Sequence, residues 1–178
     1  MKKTILALGI LTVLFYSCEK IEEIESTQCT QDHLTAEQIF NDAGRMVENG
    51  FTDNGQNKGC ASYSLLNADT TNIDTLIIDF GSTDDLCEGK FRNGKIIVTY
   101  TGKYRDSLSV ITTSFDNYHV SKNLVQGELI ITNQGRNNKG NMWFTIEVNN
   151  ASINTTNGTI NWESSRVREW VSGQNTYF

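Results

Sequence analysis

The stretch NGKIIVTYTGKYRDSLSVITTSFDNYHV, residues 93–120, decides the fold class of this chain. It consists of two long runs rich in Ile, Val, Thr and Tyr, which favour β-strands, joined by a short polar segment. It contains no residue pattern that catalysis would require. The stretch therefore predicts a β-hairpin at the centre of a β-rich domain that acts as a scaffold or a binder.

Further β-strands are predicted on both sides of this hairpin. The full set of predicted strands covers residues 61–66, 75–80, 95–101, 108–120, 124–132, 142–148, 159–163 and 167–171. The connecting segments are short, which favours antiparallel neighbours in a meander. The expected fold is mainly β, an antiparallel meander in the form of a twisted sheet, a sandwich or a barrel, and periodicity does not choose among these forms.

One amphipathic helix is predicted at the N-terminal side of the strands. Thr35 and Gln38 fit a capping box, and Gly50 is placed to end the helix. Apolar residues recur at helical spacing between them, at Ile39, Phe40, Ala43, Met46 and Val47. The polar face is acidic, which disfavours an anionic membrane surface. We expect this helix to pack on the sheet.

The first residues of the chain have the three parts of an export signal. Lys2 and Lys3 precede an apolar run over residues 5–16, which is too short for a transmembrane helix. The ending LFYSC resembles the lipobox of bacterial lipoproteins, in which the cysteine is diacylated and becomes the mature N-terminus. This resemblance implies a signal peptide over residues 1–17 and a membrane anchor at Cys18. An ordinary signal peptide is the alternative.

An acidic segment follows Cys18. Its sequence EKIEE resembles the export signal that sends lipoproteins of Bacteroidetes to the outer face of the outer membrane, with Glu19, Glu22 and Glu23 as the acids. A solvated tether is the alternative explanation of these charges. Residues 18–33 are predicted to be a flexible tether in front of a single domain over residues 34–178. The aromatic end at Tyr177 and Phe178 predicts that this domain is truncated or that it ends on the sheet.

Charge and cysteines restrict the classes of partner. The formal net charge is −6 and no basic stripe is present, which argues against nucleic acid. Cys60 and Cys87 border runs that can pair as a hairpin, so we expect a disulfide between them in an exported protein, with Cys29 left free or paired with another molecule. The cysteine spacing and the isolated histidines predict no metal site and no cofactor.

Three groups of residues are candidates for ligand binding. Trp143 alternates away from Met142 and Phe144 and is a candidate for a carbohydrate platform, although large aromatics usually fill a core. Arg166 and Arg168 share one side of the last strand and could clamp a carboxylate or a sulfate, or pair with acids of a neighbouring strand. A loop rich in acids is a candidate for calcium or simply a solvated loop; its residues are Asp79, Asp84, Asp85 and Glu88.

Three triplets resemble the Asp-Ser/Thr-apolar motif on which Bacteroidetes O-glycosylate exported proteins. They mark Thr70, Thr75 and Ser107 as acceptors. About one such triplet is expected by chance, so the motif is suggestive only.

Five blocks together resemble an uncharacterised family of Bacteroidetes lipoproteins. They are LIIDFG at 76–81, Cys87, GKIIVTYTGKYRD at 94–106, VITTSFDNYHV at 110–120 and SSRVREWVSG at 164–173. The resemblance implies a lipid-anchored outer-membrane protein exposed at the cell surface, in a family whose pattern continues beyond Phe178. It implies no activity, and the chain contains no G-x-S-x-G, H-E-x-x-H or phosphate-binding glycine loop.

We therefore expect a cell-envelope protein that is not an enzyme and whose β-rich domain binds a glycan, a peptide or a protein partner. One alternative is an extracytoplasmic hydrolase with paired carboxylates. The other is an assembly subunit that uses open sheet edges.

Overall fold

A computed structural model describes residues 24–52, 60–66 and 73–173 of the chain. It contains one helix, α1 (Ile24–Thr52), and eight strands: β1 (Ser62–Leu66), β2 (Asp74–Asp79), β3 (Asp85–Cys87), β4 (Lys90–Tyr100), β5 (Val110–Val120), β6 (Asn123–Arg136), β7 (Met142–Thr155) and β8 (Gly158–Trp170). The predicted fold class, mainly β with one N-terminal helix, is confirmed.

The chain divides into two compact units, residues 1–31 and residues 32–178. The described part of the first unit is the start of α1, where Cys29 is exposed and forms no disulfide. The second unit holds the rest of α1 and the whole sheet. Within the described ranges, no helix has the length and hydropathy that a membrane span requires.

The strands form one antiparallel sheet in the order β1-β2-β4-β5-β6-β7-β8, and β3 pairs with β4 beside this path. Nearly every strand therefore pairs with its neighbour in sequence, as the short connectors predict. In the part of the chain that the structure describes, β1 and β8 form the two edges and do not pair with each other. The sheet is open, which selects the twisted sheet among the three predicted forms.

The helix continues past Gly50, its predicted end, to Thr52, and β6 and β7 extend beyond their predicted ends to Arg136 and Thr155. Three further differences from the sequence prediction concern whole elements or their starts. The helix begins at Ile24 rather than near Thr35, so it includes residues 24–33 of the predicted tether. The sequence does not indicate this start, because the polar segment lacks an apolar period of its own. It is helical because a helix that has nucleated propagates at little cost in free energy. The short strand β3 was not predicted, because three residues show no period. The last two predicted strands are one strand, β8, because its polar middle stays in register with β7.

The core lies between α1 and one face of the sheet, called here the covered face. The helix contributes the predicted apolar stripe. Within it, Phe40 is fully buried, and the centroid of its ring lies 5.6 Å from the ring centroids of Phe115 and Trp162. The strands contribute alternate buried residues, among them Leu76, Ile78, Ile96, Val98, Ile111, Leu129, Ile131, Phe144, Ile146 and Val148. The predicted packing of the helix on the sheet is confirmed.

The opposite side of the sheet, called here the open face, carries the side chains that alternate along each strand with the buried ones. Ile97, Ile130 and Thr145 are partly exposed there, and Thr99 and Glu147 are exposed. This polar and β-branched composition is typical of a sheet with one face packed and one face wet.

Cys60 and Cys87 form a disulfide, as predicted. The bond joins the segment before β1 to the end of β3, across a sequence separation of 27 residues. The predicted hairpin beside it is also present, because β1 pairs antiparallel with β2. A crosslink that closes a loop of this length stabilises the folded state by about 3–4 kcal/mol when its effect on the unfolded chain is entropic.

Candidate binding cleft

A cleft of about 110 Å³ lies between α1 and the β8 side of the covered face. The helix contributes one wall through residues three or four positions apart, which share a helical face: Asn41, Gly44, Arg45 and Glu48. The floor is apolar and consists of Phe40, Leu129, Ile131 and Ile146. The opposite wall consists of Tyr104, Arg166 and Arg168. The cleft therefore combines an apolar floor with a polar, mainly basic rim.

The two arginines of β8 reach the cleft because of their register. Arg166 lies opposite Ile146 and Arg168 opposite Phe144, both buried residues of β7. Because residues directly opposite each other in a sheet share a face, both guanidinium groups lie on the covered side. Their predicted position on one side of the strand is confirmed, and the structure adds that this side faces the helix.

Arg166 and Arg168 have different surroundings. Arg166 donates to Glu37 Oε1 at 3.2 Å and to Asn41 Oδ1 at 2.6 Å, both on α1. Burial lowers the pKa of Arg166, Glu37 opposes this shift, and the like charge of Arg168 adds to it. Arg168 is exposed, and among the described residues its one hydrogen-bond partner is the Tyr104 hydroxyl, at 3.1 Å. Arg168 therefore keeps donors for a ligand.

Tyr104 belongs to the β4–β5 loop, which folds over the covered face. Its ring stacks on Phe144 with centroids 4.6 Å apart and lies 5.8 Å from the ring of Trp170. The side chain of Asn133, which is 1% exposed, donates to the Tyr104 carbonyl oxygen at 3.1 Å and holds the loop down. Burial raises the pKa of Tyr104 although Arg168 opposes it, so the phenol stays protonated at neutral pH.

A buried ionic network fixes the helix beside the cleft. Arg92 of β4 is 0% exposed and donates from Nη1 to Asp42 Oδ2 at 2.7 Å and to the Tyr118 hydroxyl, and from Nε to the Cys87 carbonyl oxygen at 3.2 Å. Arg45 donates to Asp42 Oδ1 at 2.9 Å and pairs with Glu88. This network ties α1 to the sheet and to the disulfide.

Protonation in this network follows burial and pairing. Burial would raise the pKa of Asp42, but hydrogen bonds from Arg92 and Arg45 outweigh it and the pKa is lowered. Burial raises the pKa of Tyr118 to about 12. Asp42 is therefore a carboxylate held among cations and the tyrosine is neutral, which suits a structural tie.

Trp143 lies apart from the two arginines. It is half-buried on the open face, opposite Glu169 of β8. The aromatic side chains that could have formed a row with it are mostly buried in the core or against it instead: Tyr100, Tyr104, Tyr118, Trp162 and Trp170. Tyr177 is outside the described residues. Within those, Trp143 has no aromatic row beside it.

The acids proposed for calcium are engaged separately. Asp79 accepts from the Gly81 amide at 2.8 Å and pairs with Lys95 at 3.2 Å, while Asp85 accepts from the Thr83 hydroxyl at 2.6 Å. Glu88 pairs with Arg45. In the ranges that the structure covers, no group of three or more His, Cys, Asp or Glu residues is placed to hold a metal ion.

The remaining predicted sites divide by location. Thr75 lies inside the sheet, between Leu66 of β1 and Thr99 of β4, whereas Ser107 is exposed in the β4–β5 loop. Several predicted sites lie outside the described residues: Cys18, Glu19, Glu22, Glu23 and Thr70.

Sequence reasoning missed the partners of Arg166 and Arg168. Asn41 belongs to the polar side of the predicted helix, and Tyr104 to a loop with no pattern of its own. The spacing of the cleft-lining helix positions was a signal for a shared helical face, but nothing in it indicated which strand that face meets. Comparisons with models of protein families, with curated proteins and with solved structures found no match to this chain.

Proposed function

We propose that this chain is a lipid-anchored protein of the cell surface whose non-catalytic β-rich domain binds a carboxylate-bearing ligand in the cleft between α1 and β8. The observation that carries the proposal is the exposed guanidinium of Arg168, beside the charge of Arg166 and above an apolar floor. Arginine pairs strongly with carboxylates because its planar donors match the two carboxylate oxygens.

The size and composition of the cleft favour a carboxylate carried on a short stem. Its volume of about 110 Å³ accommodates a carboxylate with a short aliphatic stem, such as an acidic side chain or a chain terminus. Leu129, Ile131 and Ile146 offer apolar contact to the stem.

The same lining favours binding over hydrolysis. A glycosidase needs two carboxylates on either side of the scissile bond. Among the described residues, the cleft lining contains one, Glu48. We therefore rank the extracytoplasmic hydrolase below the binding protein.

We expect Arg168→Gln to weaken the binding of butyrate by about tenfold or more, because a hydrogen bond to a charged group contributes about 1.5–3 kcal/mol. The measurement is isothermal titration of the lipidated, full-length protein in detergent micelles with butyrate, and with butyramide as the uncharged ligand. Lys122→Gln is the matched control: it removes the same charge from an exposed turn at the far end of the sheet. Equal binding of butyrate and butyramide, or equal losses in both variants, would contradict the proposal.

The anchor is tested by metabolic labelling with palmitate. We expect the wild-type protein and a Cys29→Ala variant to be labelled and a Cys18→Ala variant to be unlabelled, because only the cysteine of the lipobox-like ending becomes an acylated N-terminus. Label retained by Cys18→Ala would refute the anchor. Surface exposure is then measured by protease treatment of intact cells that express the labelled protein.

A further inference from the structure

We infer that the ligand of the cleft is an extended acidic segment of another protein, which adds to the free edge of β8 as a further antiparallel strand. The inference rests on the proposed function, because the acids of this segment are the carboxylates that meet Arg166 and Arg168. It names the class of ligand, a peptide with the pattern acid-apolar-acid, and the way its backbone binds.

The edge of β8 is suited to strand addition. The strand is 13 residues long, and within the described residues it pairs with β7 alone, from Thr155 opposite Gly158 to Met142 opposite Trp170. The irregularity in this pair lies between Val148 and Ala151, so the extra residue belongs to β7. A long edge without a bulge or a proline offers a row of backbone donors and acceptors to another strand. The other edge, β1, has only five residues.

The side chains of β8 define the sequence that the edge prefers. Arg166 and Arg168 are two residues apart on the covered side, about 7 Å along the strand. An added strand places its residues i and i+2 on that same side, so one acid lies next to Arg168, which keeps donors, and the other lies next to Arg166, whose guanidinium already donates to Glu37 and Asn41. Val167 lies between them on the open side, 64% exposed, and favours an apolar residue at i+1.

Charge also sets the register of the added strand. Glu163 and Glu169 lie on the open side of β8, and both are exposed. A strand shifted by one residue would move its acids to that side, where one of them lies opposite Glu169 or diagonal to Glu163 and like charges repel. A peptide with the pattern acid-apolar-acid therefore binds favourably when its acids lie on the covered side. In the shifted register, charge repulsion disfavours its binding.

A second copy of this chain fits the same edge poorly. In antiparallel pairing of β8 with β8, two-fold registers centred on residues 165, 166 or 167 each place Arg166 opposite or diagonal to an arginine of the copy. Like charges in those positions destabilise a strand pair. Charge complementarity selects an acidic partner instead.

The test is isothermal titration of the full-length lipidated protein in micelles with the peptide acetyl-Thr-Glu-Val-Glu-Thr-amide. We expect binding that weakens at least about tenfold when both glutamates are replaced by glutamine, and likewise in the Arg168→Gln protein but not in Lys122→Gln. Methylation of single backbone nitrogens provides the second measurement. In a strand that pairs along one edge, alternate N–H groups point to the partner, so methylation at alternate positions should abolish binding and methylation between them should preserve it.

The outcomes separate the two proposals. One outcome is that butyrate and the peptide both bind and that N-methylation leaves peptide binding unchanged at every position. This outcome would overturn strand addition but would still support carboxylate binding in the cleft. Loss of both butyrate and peptide binding would refute both. A dimer of the protein alone in sedimentation velocity that does not bind the peptide would indicate that a second copy occupies the edge, and would also overturn the inference.

Discussion

Replacing Gly94 by alanine is expected to lower the free energy of unfolding by about 4 kcal/mol or more, whereas the same change at Gly81 costs about 1–2 kcal/mol. The two glycines have almost the same backbone angle, with φ of 79° at Gly94 and 80° at Gly81. They are also neighbours, because the Gly94 amide donates to the Gly81 carbonyl oxygen at 2.8 Å. The left-handed backbone therefore penalises alanine equally at both positions.

The two positions differ in the space around them. A Cβ atom on Gly94 would lie 2.1 Å from the Asn117 carbonyl oxygen and 2.8 Å from the Tyr118 Cα, whereas a Cβ on Gly81 would meet nothing within 4 Å. Gly94 lies where the register of β4 with β5 shifts, so a side chain there pushes the two central strands apart. The clash is with backbone, which has no rotamer to relieve it.

Urea unfolding of the wild type, Gly81→Ala and Gly94→Ala measures both effects. A smaller yield of folded Gly94→Ala protein, together with a wild-type yield of folded Gly81→Ala protein, would agree with the expectation. Equal losses of stability in the two variants would show that the close approach of β4 and β5 does not determine the cost.

Asp42→Ala is expected to destabilise the domain by about 3–5 kcal/mol, because it leaves the guanidinium of Arg92 buried without its carboxylate. Arg92 is 0% exposed, and its other partners are neutral, the Tyr118 hydroxyl and the Cys87 carbonyl oxygen. The loss also removes one of the two acidic partners of Arg45 and leaves the other, Glu88, in the turn between β3 and β4. Urea unfolding measures the change in the free energy of unfolding. The control is Asp84→Ala, which removes an exposed acid and whose free energy of unfolding we expect to stay within about 0.5 kcal/mol of that of the wild type.

The double variant Asp42→Leu with Arg92→Met tests whether the cost comes from the unpaired charge. Apolar residues of similar volume commonly replace a buried ion pair without loss, so we expect the double variant to be more stable than Asp42→Ala. A double variant that loses as much as the single variants Asp42→Leu and Arg92→Met together would mean that Asp42 and Arg92 contribute independently.

Much of the fold could be predicted because its signals are local. The stretch at 93–120 forms most of β4 and all of β5, paired from Tyr100 opposite Ile111 to Arg92 opposite Val120. The apolar stripe of α1 is buried as its spacing indicates. The start of α1 and the continuity of β8 could not be predicted, since hydrogen-bonded partners maintain these polar segments without an apolar period.

The candidate site was only half visible in the sequence. The spacing of Arg166 and Arg168 places both on one side of a strand, and their residue type suits a carboxylate. Neither property reveals that Glu37 and Asn41 hold one arginine while Tyr104 holds the other, since those residues come from a helix and a loop more than sixty positions earlier.

By itself, the sequence determined the strand-forming runs, the amphipathic helix and the cysteines that pair, because propensity and periodicity act over a few residues. Only the tertiary structure decided that the sheet stays open, that α1 covers the face carrying Arg166 and Arg168, and that Trp143 lies on the other. These depend on the pairing of distant strands and on which face the helix meets. The free energy of such contacts comes from the burial of surfaces that are far apart in the chain.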